Sequence, residues 1–257
     1  MHFAFLGTSG AVPSLRRDTT SLVFVGRPEV VLVDCGGSPV QKLLLAGTTP
    51  ERLERVIITH IHPDHAYGLP SLIQNLFLMK RAAPLAIACR QEHAEPLRAL
   101  LGVFGLLERP GMFPLAWEPV PAREGAPVAA SASFAITASP NAHGSMPNLA
   151  LRFDIPGRGS VVYSSDTEPC DAVAALSRGA HTLIHEATFS QRAGARFGGH
   201  STAAEAGEIA ARAGVHRLIL THLDPAHHDE AEALAEEARS RFTGIVEIAE
   251  ELVPYPL

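Results

Sequence analysis

The chain alternates between short apolar runs and polar segments rich in glycine and proline. The runs at 21–25, 30–33 and 55–58 are dominated by β-branched residues, which predicts buried strands. Apolar residues recur every three or four positions at 39–45 and 71–79, which predicts helices with one buried face. The pattern therefore predicts a fold in which strands and helices intermix.

Polar residues able to bind metals or protons stand where several predicted strands end. These residues are the cluster at 60–65, His143, Asp166, Glu186 and His222. Each has an ordinary explanation when taken alone, since an aspartate at a strand end commonly caps the next helix. Five strands that end in this way instead predict a shared site.

The segment 59–65 carries the densest part of this pattern, with three histidines and one aspartate directly after an apolar strand. Pro63 fixes its own φ and donates no hydrogen bond, so a stiff loop is expected. Neutral imidazole and carboxylate suit Zn²⁺, and also Mn²⁺ or Fe²⁺, whereas soft metals favour thiolates. A solvated, histidine-rich loop is the alternative interpretation, and it explains a single histidine better than this cluster.

The motif Thr-His-x-His-x-Asp-His at 59–65 resembles the signature of the metallo-β-lactamase superfamily of binuclear hydrolases. The resemblance implies an α/β (α+β) fold, a four-layer αββα sandwich of two mixed sheets with helices outside and metals at one edge. Alternating hairpins and helices are compatible with this architecture but do not identify it.

The same resemblance implies two divalent ions, with Zn²⁺ ahead of Mn²⁺ or Fe²⁺. It assigns one ion to His60, His62 and His143, the other to Asp64, His65 and His222, and the bridging position to Asp166. A hydroxide shared by two such ions would be the nucleophile, and the carboxylate of Asp64 could accept the proton of that water.

His200 distinguishes between branches of the superfamily. The sequence Gly-His-Ser-Thr around it, with His-Glu-Ala-Thr at 185–188, resembles ribonuclease Z and related phosphodiesterases. In that branch the matching histidine protonates the leaving oxygen and the residue matching Glu186 orients it. Imidazole titrates near neutrality and so can donate this proton. The alternative for His200 is a structural hydrogen bond at the start of a helix, which Ser201 or Thr202 would cap.

Three further residues are candidates for substrate contact: Arg16, Arg17 and Ser201. The two arginines follow a Gly-Thr-Ser-Gly turn at 7–10, and guanidinium matches phosphate oxygens. A solvated surface pair is the alternative. The turn itself has two readings, an anion cradle of backbone N–H groups or a simple reversal of the chain.

One departure from ribonuclease Z bears on the substrate. That family usually inserts a long arm, which grips tRNA, between the ligands matching His143 and Asp166. Here the interval is about twenty residues and predicts a plain hairpin that turns at 156–159. The segment 102–127 is rich in glycine and proline and predicts loops with short strands, but it lacks a basic cluster.

Composition narrows the possibilities. The net charge of −6 argues against broad, sequence-independent binding of nucleic acid. Three cysteines without a Cys-x-x-Cys pair favour a cytoplasmic protein without disulfides. The absence of a long apolar run argues against a membrane span, and the N-terminus resembles a first strand more than a signal peptide. We expect one domain over 1–257 and, from the resemblance, a homodimer.

The sequence thus favours a phosphodiesterase that cleaves a small phosphodiester, such as a cyclic nucleotide or nucleotide-like ester. A tRNA 3′-processing endonuclease without the usual arm comes second, so RNA is possible but not favoured. Thioester or lactone hydrolysis would leave His200 and Glu186 without a role. A non-catalytic metal-binding protein is the remaining alternative.

His93, His227 and His228 are expected at the surface.

Overall fold

The computed structural model describes residues 1–192 and 197–257, and these form two sheets of seven strands each. The first sheet has the order β14-β1-β2-β3-β4-β5-β6. Its strands are β1 (His2–Gly7), β2 (Ser21–Val25), β3 (Val30–Val33), β4 (Leu53–Ile58), β5 (Leu85–Arg90), β6 (Leu115–Val120) and β14 (Tyr255–Pro256).

The second sheet has the order β13-β12-β11-β10-β9-β8-β7. Its strands are β7 (Ala126–Ala130), β8 (Ala135–Pro140), β9 (Leu149–Ile155), β10 (Gly159–Tyr163), β11 (Thr182–Glu186), β12 (Arg217–Thr221) and β13 (Ile245–Ile248). Both sheets are mixed: β3 to β6 and β10 to β13 run parallel, whereas β1 to β3 and β7 to β10 are antiparallel.

Helices cover the outer faces of the sheets. They are α1 (Pro39–Leu45), α2 (Pro63–Ala66), α3 (Leu69–Leu78), α4 (Gln91–Val103), α5 (Asp171–Ser177), α6 (Ala203–Ala213) and α7 (Ala231–Arg239). Short 3₁₀ helices lie at Pro50–Arg52 and Pro225–Glu230.

The core consists of three apolar layers. The central layer joins the two sheets, and Phe24 of β2 stacks on Phe153 of β9 with ring centroids 3.7 Å apart. A second layer packs α1, α3 and α4 on the first sheet, and a third packs α5, α6 and α7 on the second. Burial of apolar side chains on both faces of each sheet drives this arrangement. The predicted αββα sandwich is confirmed.

Many predicted elements match the structure because their apolar patterns are fully buried. The strands 21–25 and 30–33 form the expected hairpin, and Thr202 caps α6 in a capping box with Glu205. The predicted hairpin around 156–159 joins β9 and β10.

Three expectations were wrong in detail. The segment after β4 is not loop throughout, since α2 begins at Pro63. Met79, expected in the core face of α3, is 39% exposed because the helix ends before it. The sequence over 226–242 predicts one long helix, but this segment begins as a 3₁₀ helix and becomes α-helical only at Ala231.

The topology brings the ligand-bearing strand ends together. Strands β3 and β4 are parallel, as are β10, β11 and β12, and β8 runs in the same direction as β10. Their carboxyl ends therefore lie at one edge of the sandwich, where the polar residues that follow them meet. In the described part of the chain, no helix is long and apolar enough to cross a bilayer.

Candidate metal centre

Two groups of side chains converge at this edge, and they share one carboxylate. The first group is His60, His62, His143 and Asp166; the second is Asp64, His65, His222 and Asp166. Within each group the nearest nitrogen and oxygen atoms all lie within 4.8 Å of one another. The structure thus brings together all seven residues that the sequence suggested as metal ligands.

The first group presents three imidazole nitrogens to a common point. His62 Nδ1 lies 3.0 Å from both His60 Nε2 and His143 Nε2. Asp166 Oδ2 lies 3.7 Å from His60 Nε2 and 4.0 Å from His143 Nε2.

The second group surrounds the same oxygen of Asp166. Asp166 Oδ2 is 3.1 Å from His222 Nε2 and 3.3 Å from His65 Nε2. Asp64 Oδ2 is 3.3 Å from His65 Nε2 and 3.7 Å from His222 Nε2. Among the described residues, Asp166 is therefore the residue common to both groups.

These atoms fit divalent metals. Ligand atoms 2.0–2.1 Å from a tetrahedral ion are about 3.3 Å apart, close to the spacings in both groups. The buried atoms His65 Nε2, His222 Nε2 and Asp166 Oδ1 have no hydrogen-bond partner among the described residues. Buried polar atoms are rarely left unpaired in this way, so the arrangement fits metal coordination better than a hydrogen-bonded cluster.

Four of the histidines direct Nε2 toward the candidate metal positions. In each of them the other ring nitrogen, Nδ1, lies within hydrogen-bond distance of an oxygen atom. The partner of Nδ1 is Asp34 Oδ2 for His65 at 2.8 Å, Gly199 O for His143 at 2.6 Å, Thr188 Oγ1 for His222 at 2.9 Å and Thr59 Oγ1 for His60 at 3.2 Å. Such partners fix the tautomer and the ring orientation of metal-binding histidines.

Asp34 and Thr188 are functional candidates that the sequence analysis did not single out. Asp34 follows β3 and is fully buried; its carboxylate accepts from the backbone N–H and the hydroxyl of Thr59 and from His65. A signal for Asp34 was present, because it too is an acidic residue directly after a buried strand.

Charge and burial shift the pKa values of the clustered groups. Burial lowers the pKa of His222, but the Asp166 carboxylate outweighs burial and raises it to about 10. Burial would raise the pKa of Asp166, yet the His222 and His65 rings hold it well below its usual range. Burial, together with His65, lowers the pKa of His60 well below the ordinary value. The carboxylates are thus ionised, as metal binding requires, whereas the His222 ring must release its proton when a metal binds.

His200 lies between the two groups. Its ring centroid is 4.9 Å from that of His143 and 5.3 Å from that of His222. Its Nδ1 is 2.9 Å from Glu186 Oε1, which leaves Nε2 to act on a substrate. Burial raises the pKa of Glu186, but the hydrogen bond from His200 outweighs burial and keeps the pKa below the ordinary value.

The Thr188 hydroxyl connects this pair to the metal ligands. It donates to Glu186 Oε2 at 2.8 Å and accepts from His222 Nδ1 at 2.9 Å. Glu186 itself also accepts from the backbone N–H groups of Thr167 and Thr188. The fully buried Glu186 is therefore held by four donors and cannot rotate away from His200.

Position 199 requires a glycine. Its φ is +94°, and a Cβ there would lie 2.9 Å from His143 Nδ1. Its N–H donates to Glu168 Oε1 and its carbonyl accepts from His143. The glycine thus allows the loop before His200 to lie directly against a metal-ligand candidate.

The structure does not bring the three candidate substrate contacts into the metal cleft. Arg17 donates to Thr8 Oγ1 and to the Ala249 carbonyl, so its guanidinium supports the fold. Arg16 is exposed and lines a different cavity from the metal cleft. Ser201 is fully buried and donates to the Thr167 carbonyl.

The turn at 7–10 is not an open anion cradle. The backbone N–H groups of Thr8 and Ser9 both donate to the Asp18 carbonyl, and that of Gly10 donates to the Leu223 carbonyl. Because these donors are already used within the chain, the turn serves to reverse and anchor it.

Two of the three histidines expected at the surface are packed. His93 is buried, and its Nε2 lies 2.7 Å from the Pro147 carbonyl, because α4 docks against the loop after His143. His228 is half-buried, with Nε2 3.1 Å from Ser9 Oγ. The third, His227, is only partly exposed.

A cleft of about 490 Å³ gives access to the two groups. Its walls include five of the ligand candidates (His62, Asp64, His143, Asp166 and His222) and His200, and they are completed by Ala11, Pro63, Gly144, Ser145, Met146, Phe197 and Gly198. A reacting group in this cleft can therefore reach the metal centre and His200 together.

Comparison with known proteins agrees with this geometry. A family model described as the beta-lactamase superfamily domain matches residues 29–223. The chain belongs to the metallo-β-lactamase superfamily, and together with the ligand cluster this defines it as a metal-dependent hydrolase.

Within the superfamily the chain is similar to ribonuclease Z. The ribonuclease Z of Methanothermobacter thermautotrophicus is 34% identical, over 98% of this chain and 95% of the relative. Among solved structures, the metallo-β-lactamase fold protein YhfI from Bacillus subtilis superposes with a TM-score of 0.81 at 27% identity, covering 99% and 98% of the two chains. The short form of human tRNase Z superposes with a TM-score of 0.78 at 23% identity and full coverage of both, which shows the shared fold.

Proposed function

We propose that this protein is a metal-dependent phosphodiesterase of the ribonuclease Z type, with an RNA phosphodiester at a tRNA 3′ end as its substrate. The observation that carries the proposal is the location of His200. It stands between the two ligand groups, 2.9 Å from a buried carboxylate, in the wall of the metal cleft. A proton donor beside a binuclear centre suits the departure of a poor leaving group.

We assign one ion to His60, His62 and His143, the other to Asp64, His65 and His222, and the shared position to Asp166. When bound, two divalent ions supply an activated water and offset the negative charge on phosphate oxygens. Nitrogen and oxygen ligands support Zn²⁺ as the metal.

The chain's own residues supply proton transfer at both ends of the reaction. Asp64, whose Oδ2 lies 3.3 Å from His65 Nε2 and 3.7 Å from His222 Nε2 in the cleft wall, can accept a proton from the attacking water. His200 donates a proton from Nε2 to the leaving oxygen, while Glu186 holds Nδ1 and keeps the ring in place. Thioester hydrolysis, lactone hydrolysis and passive metal binding would each leave His200 and Glu186 without a comparable role.

The relatives reverse the order of substrates favoured by the sequence. The similarity to a named ribonuclease Z extends over nearly the whole of both chains. This supports RNA over a small phosphodiester as the substrate.

A small phosphodiester stays the second candidate because one observation favours it. The interval between His143 and Asp166 contains only the β9–β10 hairpin, without an arm. The alignment with the relative also spans 306 positions, more than the 257 residues of this chain, so the relative carries segments that this chain lacks. A shorter chain with a net charge of −6 has less surface for gripping a folded RNA.

A side-by-side panel separates the two candidates. Purified protein loaded with Zn²⁺ or Mn²⁺ is assayed on unprocessed tRNA, linear dinucleotides and 2′,3′-cyclic nucleotides, with a chelator control. We expect metal-dependent removal of the tRNA 3′ trailer at one position. Turnover of the small esters alone would favour the second candidate, and no metal-dependent cleavage of any phosphodiester would overturn the proposal.

We also retain three predictions about the protein as a whole: one domain, a cytoplasmic location and a homodimer. The free thiols of Cys35, Cys89 and Cys170 support a reducing compartment. Exposed apolar side chains on α1 and α3, among them Leu44 and Leu78, support a self-association surface. Light scattering at several concentrations tests the oligomeric state.

A further inference from the structure

One aromatic side chain in the metal cleft is exposed although its surroundings offer it apolar contacts. Phe197 is 63% exposed and forms part of the cleft wall beside His200. The neighbouring Phe189, by contrast, is only 5% exposed and belongs to the packed interior. Phe189 is therefore part of the core, and Phe197 contributes little to it.

The ring of Phe197 makes two perpendicular aromatic contacts. Its centroid is 5.0 Å from Phe189 with an interplanar angle of 82°, and 5.5 Å from His200 with an angle of 89°. Perpendicular contacts of this kind are favourable for aromatic pairs and restrict how the ring can turn. Phe197 thus presents an oriented, largely solvent-exposed aromatic surface directly beside the proton donor.

We propose that Phe197 is the stacking platform for a nucleobase of the substrate, on the side of the nucleoside whose oxygen leaves. This inference rests on the proposed function, because His200 is the residue that donates a proton to that oxygen. The ring next to His200 is then next to the leaving nucleoside. The substrate class that follows is a phosphodiester bearing a base on its leaving side, as distinct from a simple alkyl or sugar phosphodiester.

Stacking also determines how selective the contact is. Every base offers an aromatic face, so a bare phenyl ring binds bases without reading their hydrogen-bonding edges. Phe197 therefore favours substrates that have a base over those that lack one, with little preference among bases. Loss of one aromatic–base stack corresponds to roughly a 5- to 150-fold change in binding.

The test compares matched dinucleotides that differ only in the presence of a base. One substrate carries both bases, one is abasic at the leaving nucleoside, and one is abasic at the other nucleoside. The enzyme is the metal-loaded full chain, and kcat/KM is measured for each substrate. The variants are Phe197→Ala, Phe197→Leu and Phe197→Trp. Phe104→Ala is the matched control, since Phe104 is also exposed, at 59%, but does not line the metal cleft.

For the wild type we expect the substrate that is abasic at the leaving nucleoside to be cleaved roughly 5- to 150-fold less efficiently than the complete one. Phe197→Ala should remove most of this difference and Phe197→Leu should not restore it. Phe197→Trp should preserve it, and Phe104→Ala should not alter it.

Three results would overturn the inference. Equal losses on all three dinucleotides in Phe197→Ala would mean that the ring only positions His200. Discrimination against the other abasic substrate would place the base on the wrong side of the phosphate. If the wild-type enzyme cleaved the complete substrate and the substrate that is abasic at the leaving nucleoside equally well, base stacking on Phe197 would have no effect on the reaction. Failure of the proposed function is a separate outcome, because the wild type would then cleave neither the dinucleotides nor unprocessed tRNA.

Discussion

The Asp34 carboxylate lies 2.8 Å from Nδ1 of His65, a residue 31 positions further along the chain. Both side chains are fully buried, and Asp34 adopts a left-handed backbone conformation with φ of 58°. This conformation is unfavourable for a residue with a Cβ, and it persists here because the carboxylate also receives two hydrogen bonds from Thr59. The end of β3 thus fixes a ligand candidate carried by the segment after β4.

We expect Asp34→Asn to weaken metal binding roughly 10- to 100-fold while leaving all seven candidate ligands in place. The amide cannot replace the carboxylate as an acceptor for both Thr59 and His65, so the His65 ring loses its fixed tautomer. Competition with a chelator measures the change in affinity. Asp171→Asn, at an exposed site on α5, serves as the control. Unchanged affinity in Asp34→Asn would contradict the role given to Asp34.

Asp166→Ala should lower the number of tightly bound ions, because its Oδ2 is the atom common to both ligand groups. Elemental analysis after gel filtration measures the stoichiometry. Asp154→Ala is a suitable control, since Asp154 pairs with Arg152 away from the site. Retention of two tightly bound ions in Asp166→Ala would refute the bridging assignment.

His200→Ala should leave metal content unchanged yet lower kcat for substrates with poor leaving groups by roughly 10²- to 10⁴-fold. Bis(p-nitrophenyl) phosphate should suffer far less, because its leaving group departs without a proton. His181→Ala removes an exposed histidine at the other end of the sheet as a control. An equal loss on both substrate types would remove the proton-donor role.

Thr188 provides a test of how the acid and the metal ligands are coupled. Thr188→Val keeps the shape of the side chain but leaves Glu186 Oε2 and His222 Nδ1 without the hydroxyl, at a cost of about 1–3 kcal/mol. We expect weaker metal binding and a changed pH profile of kcat, both restored by Thr188→Ser. Equal behaviour of the valine and serine variants would show that the hydroxyl has no such function.

The stability of the chelator-treated protein should fall as pH rises from 6.5 to about 10. Folding raises the pKa of His222 over this interval, since Asp166 outweighs the effect of burial. The folded state therefore holds its proton more tightly, and the stabilisation is full below pH 6.5 and lost near pH 10. Guanidinium unfolding at several pH values measures the slope, which His222→Gln should reduce and His181→Gln should not. An equally steep slope in His222→Gln would contradict the prediction.

Several features were predictable from local pattern alone. The strands 21–25 and 30–33 and the capping box of α6 depend on short-range rules of burial and hydrogen bonding, and they appear as expected. Two of the expectations that failed, those for His93 and Arg17, depended on distant partners. His93 is buried because α4 docks on the loop containing Pro147, and Arg17 is occupied by the carbonyl of Ala249, 232 positions away. No local pattern encodes such partners.

By itself, the sequence determined the kinds of groups available and the strand ends that carry them, because alternation, burial and capping are local properties. It also suggested the seven candidate ligands through the motif at 59–65 and the residues that follow later strands. The resemblance had already implied that Asp166 is shared by both groups, and only the tertiary structure decided that Asp34 and Thr188 hold the rings and that Phe197 faces the cleft. These relationships depend on the packing of two sheets across a common core, which sets distances of a few ångströms between residues far apart in the chain.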